Sequence, residues 1–227
     1  MTDRMPTYFI SHGGGPWPWV PRMRETFANL ETSLTRMVAD LPARPSAVLM
    51  VSGHWETPGF AVMGAARPPM VYDYYNFPEH TYRVTYPAPG APDLARRTVT
   101  LLSGAGLPAA LDEMRGYDHG VFVPMAVMWP DADMPLYQVS LQSGYDPAAH
   151  VALGRALAPL RDEGVMIVGS GLSYHNLALF GPGAKEPSEG FDAWLTEVLA
   201  LPPEARMAKV LAWEKAPYAR VAHKEED

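Results

Sequence analysis

Four of the seven histidines stand in compact motifs with small or acidic neighbours. They are Ser11-His12-Gly13-Gly14-Gly15, Ser52-Gly53-His54-Trp55, Asp118-His119-Gly120 and Gly169-Ser170-Gly171-Leu172-Ser173-Tyr174-His175-Asn176. Imidazole is the commonest side-chain metal ligand and titrates near neutrality, and glycine lets the backbone come close to whatever is bound. The first motif follows the apolar run Tyr8-Phe9-Ile10, and the second follows Ala47-Val48-Leu49-Met50-Val51. A strand that ends in a small-residue turn delivers its imidazole to the carboxyl edge of a sheet, where open α/β folds place their ligand crevices. A single histidine at a strand end is more often a hydrogen-bonded structural residue than a ligand; four such motifs together point to a shared, metal-centred site. His80 and His150 have no comparable setting, so His150 is expected at the surface and His80 along an aromatic loop. Gly13-Gly14-Gly15 lacks the Gly-Lys-Ser/Thr ending of a phosphate-binding loop.

The elements that must hold these histidines follow from the apolar spacing. Pro21 to Leu41 carries Met23, Phe27, Leu30, Leu34 and Val38 at helical intervals and stops before Pro42; Ala47 to Val51 reads as a buried strand. Pro58 to Pro92 is dense in proline and aromatic residues and reads as a functional loop plus an extended arm. Pro92 to Ser103 is expected to be a helix capped by Gly104, Pro135 to Leu141 a strand, and Pro147 to Leu160 a helix. Val165 to Val168 is a buried strand leading to His175, and Phe191 to Leu201 and Glu204 to Trp213 are late helices. This alternation, without repeats or linkers, predicts one α/β domain over residues 1–227, three-layered, with a central mixed sheet flanked by helices and the metal site at the strand carboxyl edge.

Composition narrows the chemistry. With 48% hydrophobic residues the 227-residue chain can bury a large core. A formal charge of -7 gives no electrostatic case for nucleic acid. No apolar run approaches the roughly 18 residues of a membrane span, and the first residues do not read as a signal peptide, so a cytoplasmic protein is expected. With no cysteine, any metal here has nitrogen and oxygen ligands only. A homodimer is compatible with the sequence.

Taken in order, Ser11-His12-Gly13-Gly14-Gly15-Pro16, Ser52-Gly53-His54-Trp55, Tyr72-Asp73-Tyr74-Tyr75-Asn76-Phe77-Pro78, Asp118-His119-Gly120-Val121-Phe122-Val123-Pro124 and Gly169-Ser170-Gly171 through His175-Asn176-Leu177 resemble the class III extradiol ring-cleaving dioxygenases, in their DOPA-dioxygenase-like branch. The resemblance runs from residue 8 nearly to the end. It implies a non-haem Fe(II), found as Zn(II) in some isolated proteins, held by His12 and His54 together with a third ligand near the carboxyl terminus. His175 is implied as the acid/base group and in some members as a metal ligand, and His119 as a group behind the ligands or facing the substrate. The family pattern has a histidine directly after an acidic pair and then an apolar helix; near that point this sequence offers His223, Glu225, Glu226 and Asp227.

The residues suit that chemistry in their own right. A small aromatic diol bound to Fe(II) through both oxygens needs two open coordination positions and O2 a third, which leaves three for the protein. The diol must lose a proton and a later species must regain one, a task suited to an imidazole such as His175. Trp17, Trp55, Tyr72, Tyr74 and Phe122 are candidate walls for the substrate ring, with core packing the competing role for each. Two rival readings stand beside the dioxygenase. A zinc hydrolase would need a carboxylate base such as that of a His-Glu-x-x-His helix, which is absent, Glu56 being the nearest equivalent. A non-catalytic metal- or peptide-binding relative of the same fold would have no need of a proton-transfer histidine.

Overall fold

In a computed structural model of the protein, residues 4–224 are described. Strand β1 (Thr7–Ser11) leads to α1 (Pro21–Thr26) and α2 (Ala28–Ala39), then to β2 (Ala47–Ser52), the short β3 (Glu56–Thr57) and β4 (Phe60–Met63). A long aromatic loop, with a 3-10 turn at Glu79–Arg83, reaches α3 (Pro92–Gly104) and β5 (Ala109–Asp112). Next come α4 (His119–Met128), β6 (Leu136–Gln138), β7 (Leu141–Gln142), α5 (Pro147–Leu157) and β8 (Val165–Gly171), which closes the first of two compact units. The second unit begins at Leu172 and contains α6 (Lys185–Leu199), α7 (Pro203–Leu211) and α8 (Ala219–Ala222).

The central sheet has four strands in the order β1-β8-β2-β6, and every neighbouring pair is parallel. The mixed sheet expected from the sequence is thus parallel throughout its described strands. The reason lies in the connections: helices intervene between successive central strands, and a crossover of that length returns the chain in the same direction. β2 and β8, inside the sheet, are buried along nearly their whole length, which is why both read as unbroken apolar runs. β1 lies at an edge and leaves Phe9 56% exposed.

Pro21 to Leu41 is two helices rather than one. The bend falls at Phe27, yet the Phe27 amide still donates to Met23 O and the Glu31 amide to Phe27 O, so the turn is deformed without being interrupted. The Phe27 ring packs against Trp17 with centroids 5.5 Å apart. Within the segment read as loop and arm, Phe60–Met63 is a fully buried strand paired in parallel with β5. The second unit has its own small core of Phe191, Ala219 and Ala222 with Tyr174, Trp194 and Trp213 against it.

Helix α4 was not foreseen in the sequence, and its composition explains why. HGVFVPMAVM is buried on every side, so it shows no amphipathic period, and Pro124 lies inside it. Proline has no N–H to give to the carbonyl four residues earlier, which here is that of Gly120. The Ser170 hydroxyl, at the end of β8, donates to that carbonyl instead. A hydrogen bond from the sheet thus replaces the one that Pro124 cannot make.

Candidate metal centre

β1 and β2 flank β8 and end at the same carboxyl edge of the sheet, and the residues just beyond their ends carry His12 and His54. The Nε2 atoms of these two rings stand 3.3 Å apart. His119, the first residue of α4, brings a third imidazole, and one ligand nitrogen from each of the three lies within 4.8 Å of the others. His12 and His119 are buried, at 3% and 6% exposure, and His54 is partly so. Two nitrogens bound at ~2.0–2.1 Å to one tetrahedral ion stand about 3.3–3.4 Å apart, so the His12–His54 spacing suits a shared metal. An all-imidazole set without thiolate suits zinc and ferrous iron alike.

The turns that carry these rings are packed closely. The Trp17 indole donates to the His12 carbonyl at 2.8 Å. Gly13, at φ +74, has Trp17 ring atoms 2.6 Å from where a Cβ would sit. Gly120 leaves no more room: a Cβ there would lie 2.4 Å from Ser52 Oγ and 3.0 Å from the His54 ring. Ser52 Oγ in turn accepts the His54 backbone N–H at 3.1 Å and donates to Asp118 Oδ1 at 2.7 Å. Arg115 Nη2 donates to the other Asp118 oxygen at 2.6 Å and to the His54 carbonyl at 3.3 Å, while its guanidinium lies over the Trp55 ring. Burial pushes the fully enclosed Asp118 carboxyl up, against the opposing pull of the Ser52 hydroxyl and the Arg115 charge.

Asp73, in the aromatic loop, joins two of the imidazoles. Its Oδ1 lies 2.8 Å from His119 Nδ1 and also accepts the His119 backbone N–H at 3.0 Å, and its Oδ2 is 3.3 Å from His54 Nδ1. Burial by itself would raise the Asp73 carboxyl; the hydrogen bonds and charge of His119, with a contribution from His54, outweigh it and hold the group below its ordinary range. Neither Asp73 nor the Ser52–Asp118–Arg115 chain was singled out in the sequence. The one local sign was an acid set between two tyrosines, a polar group in a segment otherwise suited to packing.

Of the expected site residues, His12, His54 and His119 come together in the first unit. His175 belongs to the second, where its backbone N–H donates to Ala222 O at 3.0 Å and the neighbouring Asn176 amide donates to Val221 O at 2.8 Å. His223 Nε2 is 3.0 Å from Ser173 O, and its ring packs on Phe191. Glu225, Glu226 and Asp227 lie outside the described residues. Trp17 is wholly buried behind the His12 turn and Trp55 is buried under Arg115. Tyr74 has its ring 5.9 Å from that of His119 and groups with Tyr72 and Phe122. His80 is exposed, with Nε2 2.9 Å from Trp19 O. His150 is less of a surface residue than expected: half-buried against Phe60, it accepts the Gln142 amide at 3.2 Å.

Residues 7–227 match the family model described as the catalytic LigB subunit of aromatic ring-opening dioxygenase. The chain belongs to this family. Among its relatives, a 4,5-DOPA dioxygenase extradiol of Beta vulgaris is 38% identical over 96% of this chain and 80% of its own length. A protein of the same name from Escherichia coli K12 is 42% identical over 78% of this chain and 62% of that one. Dioxygenase tasH of Hapsidospora irregularis is 41% identical over 76% of this chain, which spans 55% of that relative. The crystal structure of an uncharacterized Escherichia coli K12 protein superposes with a TM-score of 0.67 at 34% identity, over 86% of this chain and 75% of the other. Membership places the chain among the extradiol aromatic ring-opening dioxygenases of class III. No helix among the described residues is long and apolar enough to cross a membrane.

Proposed function

We propose that the protein uses O2 to open a small catechol beside its vicinal diol, on a ferrous ion held by His12 and His54. The observation that carries this reading is the buried group of His12, His54 and His119 at the edge of the sheet in a chain of this family. The bound ion would supply a Lewis-acidic, redox-active centre with room for both diol oxygens and O2. His12 and His54 bind, and the turns packed around Trp17 and Ser52 keep them in place. His119 stands beside them as the group that contacts the diol or completes the ligand set. His175 is assigned the proton transfers, removing one from the second hydroxyl and returning one later, with a ligand role as its alternative. Tyr72 and Tyr74, backed by the wholly buried Phe122, are the aromatic residues assigned to the substrate ring, and the names of the relatives make a DOPA-like catechol the first substrate to try.

Anaerobic loading with Fe(II), followed by O2 uptake across DOPA, caffeate, protocatechuate and a gallate-type ring, tests the reading. The expected product is a yellow ring-opened semialdehyde. No uptake with any of these, together with ester or amide hydrolysis by the Zn(II) form, would overturn the dioxygenase in favour of a hydrolase.

A further inference from the structure

An imidazole offers a lone pair only on the nitrogen that carries no proton, and which nitrogen that is depends on the partner of the other one. An ionised carboxylate accepts hydrogen bonds and donates none. Asp73 sets its two oxygens against the Nδ1 atoms of two different rings, Oδ1 against His119 at 2.8 Å and Oδ2 against His54 at 3.3 Å. We infer that Asp73 is a positioning residue that holds His54 and His119 together in the Nδ1–H form, so that His54 presents its Nε2 lone pair to the metal and His119 presents its own to the same centre. This rests on the proposed metal centre and adds to it the group that sets the protonation of its ligands.

The loop is built to hold the carboxylate there. On either side of Asp73, the Tyr72 hydroxyl donates to Val84 O at 2.7 Å and the Tyr74 hydroxyl to Thr81 O at 2.6 Å. The Asp73 side chain is 21% exposed, shielded enough for its hydrogen bonds to matter. A role confined to capping α4 would use Oδ1 alone, through the His119 backbone N–H at 3.0 Å. It would not account for Oδ2 facing His54. The contact beyond is consistent with the same protonation: a lone pair on His54 Nε2 faces His12 Nε2 across 3.3 Å, a distance held comfortably only with a proton or a cation between them.

Asp73→Asn separates the two roles. Asparagine caps a helix as well as aspartate does. Kept as a cap, it turns its amide N–H toward His54 and drives that ring into the Nε2–H form, which cannot bind metal through Nε2. Imidazole nitrogen shifts of the 15N-labelled, metal-free protein, recorded with the rings neutral, read the tautomers directly. Wild type is expected to show Nδ1–H for both His54 and His119, and Asp73→Asn to show Nε2–H for His54. Zn(II) and Co(II) affinity should fall about 10- to 100-fold in the variant with its secondary structure retained. Either ring in the Nε2–H form in wild type overturns the inference, as does an Asp73→Asn protein that keeps both tautomers and full metal affinity. The wild-type spectrum decides alone should the variant fail to fold. The proposed reaction is tested apart: absent O2 uptake with this tautomer pattern removes the dioxygenase and keeps the role of Asp73, and ring cleavage with His54 as Nε2–H does the reverse.

Discussion

At the scale of single residues, the two histidines that follow the central strands are asked to bind and His175 to move protons, and substitution separates these tasks. His12→Ala and His54→Ala should each lose most bound metal while retaining the fold, because each imidazole lies beyond the end of its strand rather than within the sheet. Elemental analysis and circular dichroism check this; full occupancy in both variants would sink the ligand assignment. His175→Gln should keep metal and catechol binding and lose roughly 10²–10⁴ in turnover, the usual contribution of general acid/base catalysis. Unchanged turnover would remove the proton-transfer role, and loss of metal would make His175 a ligand. The histidines were legible because their chemistry resides in the residue type and their small neighbours. Asp73 was not, because its task exists only once the loop has folded back over α4 and placed one carboxylate between two rings from different elements.

At the scale of elements, the strands inside the sheet announced themselves and α4 did not. β2 and β8 appear in the sequence as apolar runs of strand length, and their bounds shifted by only a few residues. β4 lay hidden because FAVM is short and bordered by proline- and glycine-rich sequence, so that nothing local separates it from a packed loop. α4 carries two contrary signals, an absent period and an internal proline, and tertiary contacts override both. The Ser170 hydroxyl on the Gly120 carbonyl supplies the hydrogen bond that Pro124 cannot give. Ser170→Ala should therefore leave a buried carbonyl without a partner and cost about 1–3 kcal/mol of stability. Because His119 begins this helix, metal affinity should weaken as well. Denaturant unfolding with and without Zn(II) measures both quantities. A variant as stable as wild type would mean that the proline is accommodated by some other means.

Across the first unit as a whole, buried phenols tie separate elements and loops to one another. Tyr86 donates to the Trp129 carbonyl at 2.9 Å, just beyond the end of α4; Tyr117 donates to Leu136 O at 3.1 Å on β6; and Tyr137 on β6 meets the Thr98 hydroxyl of α3 at 3.1 Å. Burial raises the ionisation of all three well above the ordinary phenol range. Tyr74 is pushed up by burial to about 12, against the opposing effect of its bond to Thr81. The linkage then has one sign. An unfolded tyrosine releases its proton near pH ~10, so above that pH the unfolded chain binds fewer protons than the folded one, and stability falls as pH rises. For Tyr74 the contribution is complete below the unfolded value and is lost as pH climbs through about 12. An alkaline titration followed by phenolate absorbance and far-ultraviolet circular dichroism should therefore show two phases. Exposed tyrosines ionise first with secondary structure unchanged, and the buried set ionises only together with loss of that structure. If all eleven tyrosines titrated in a single step near pH ~10 while the fold persisted, the phenols would not be buried ties, and the core described around them would be wrong.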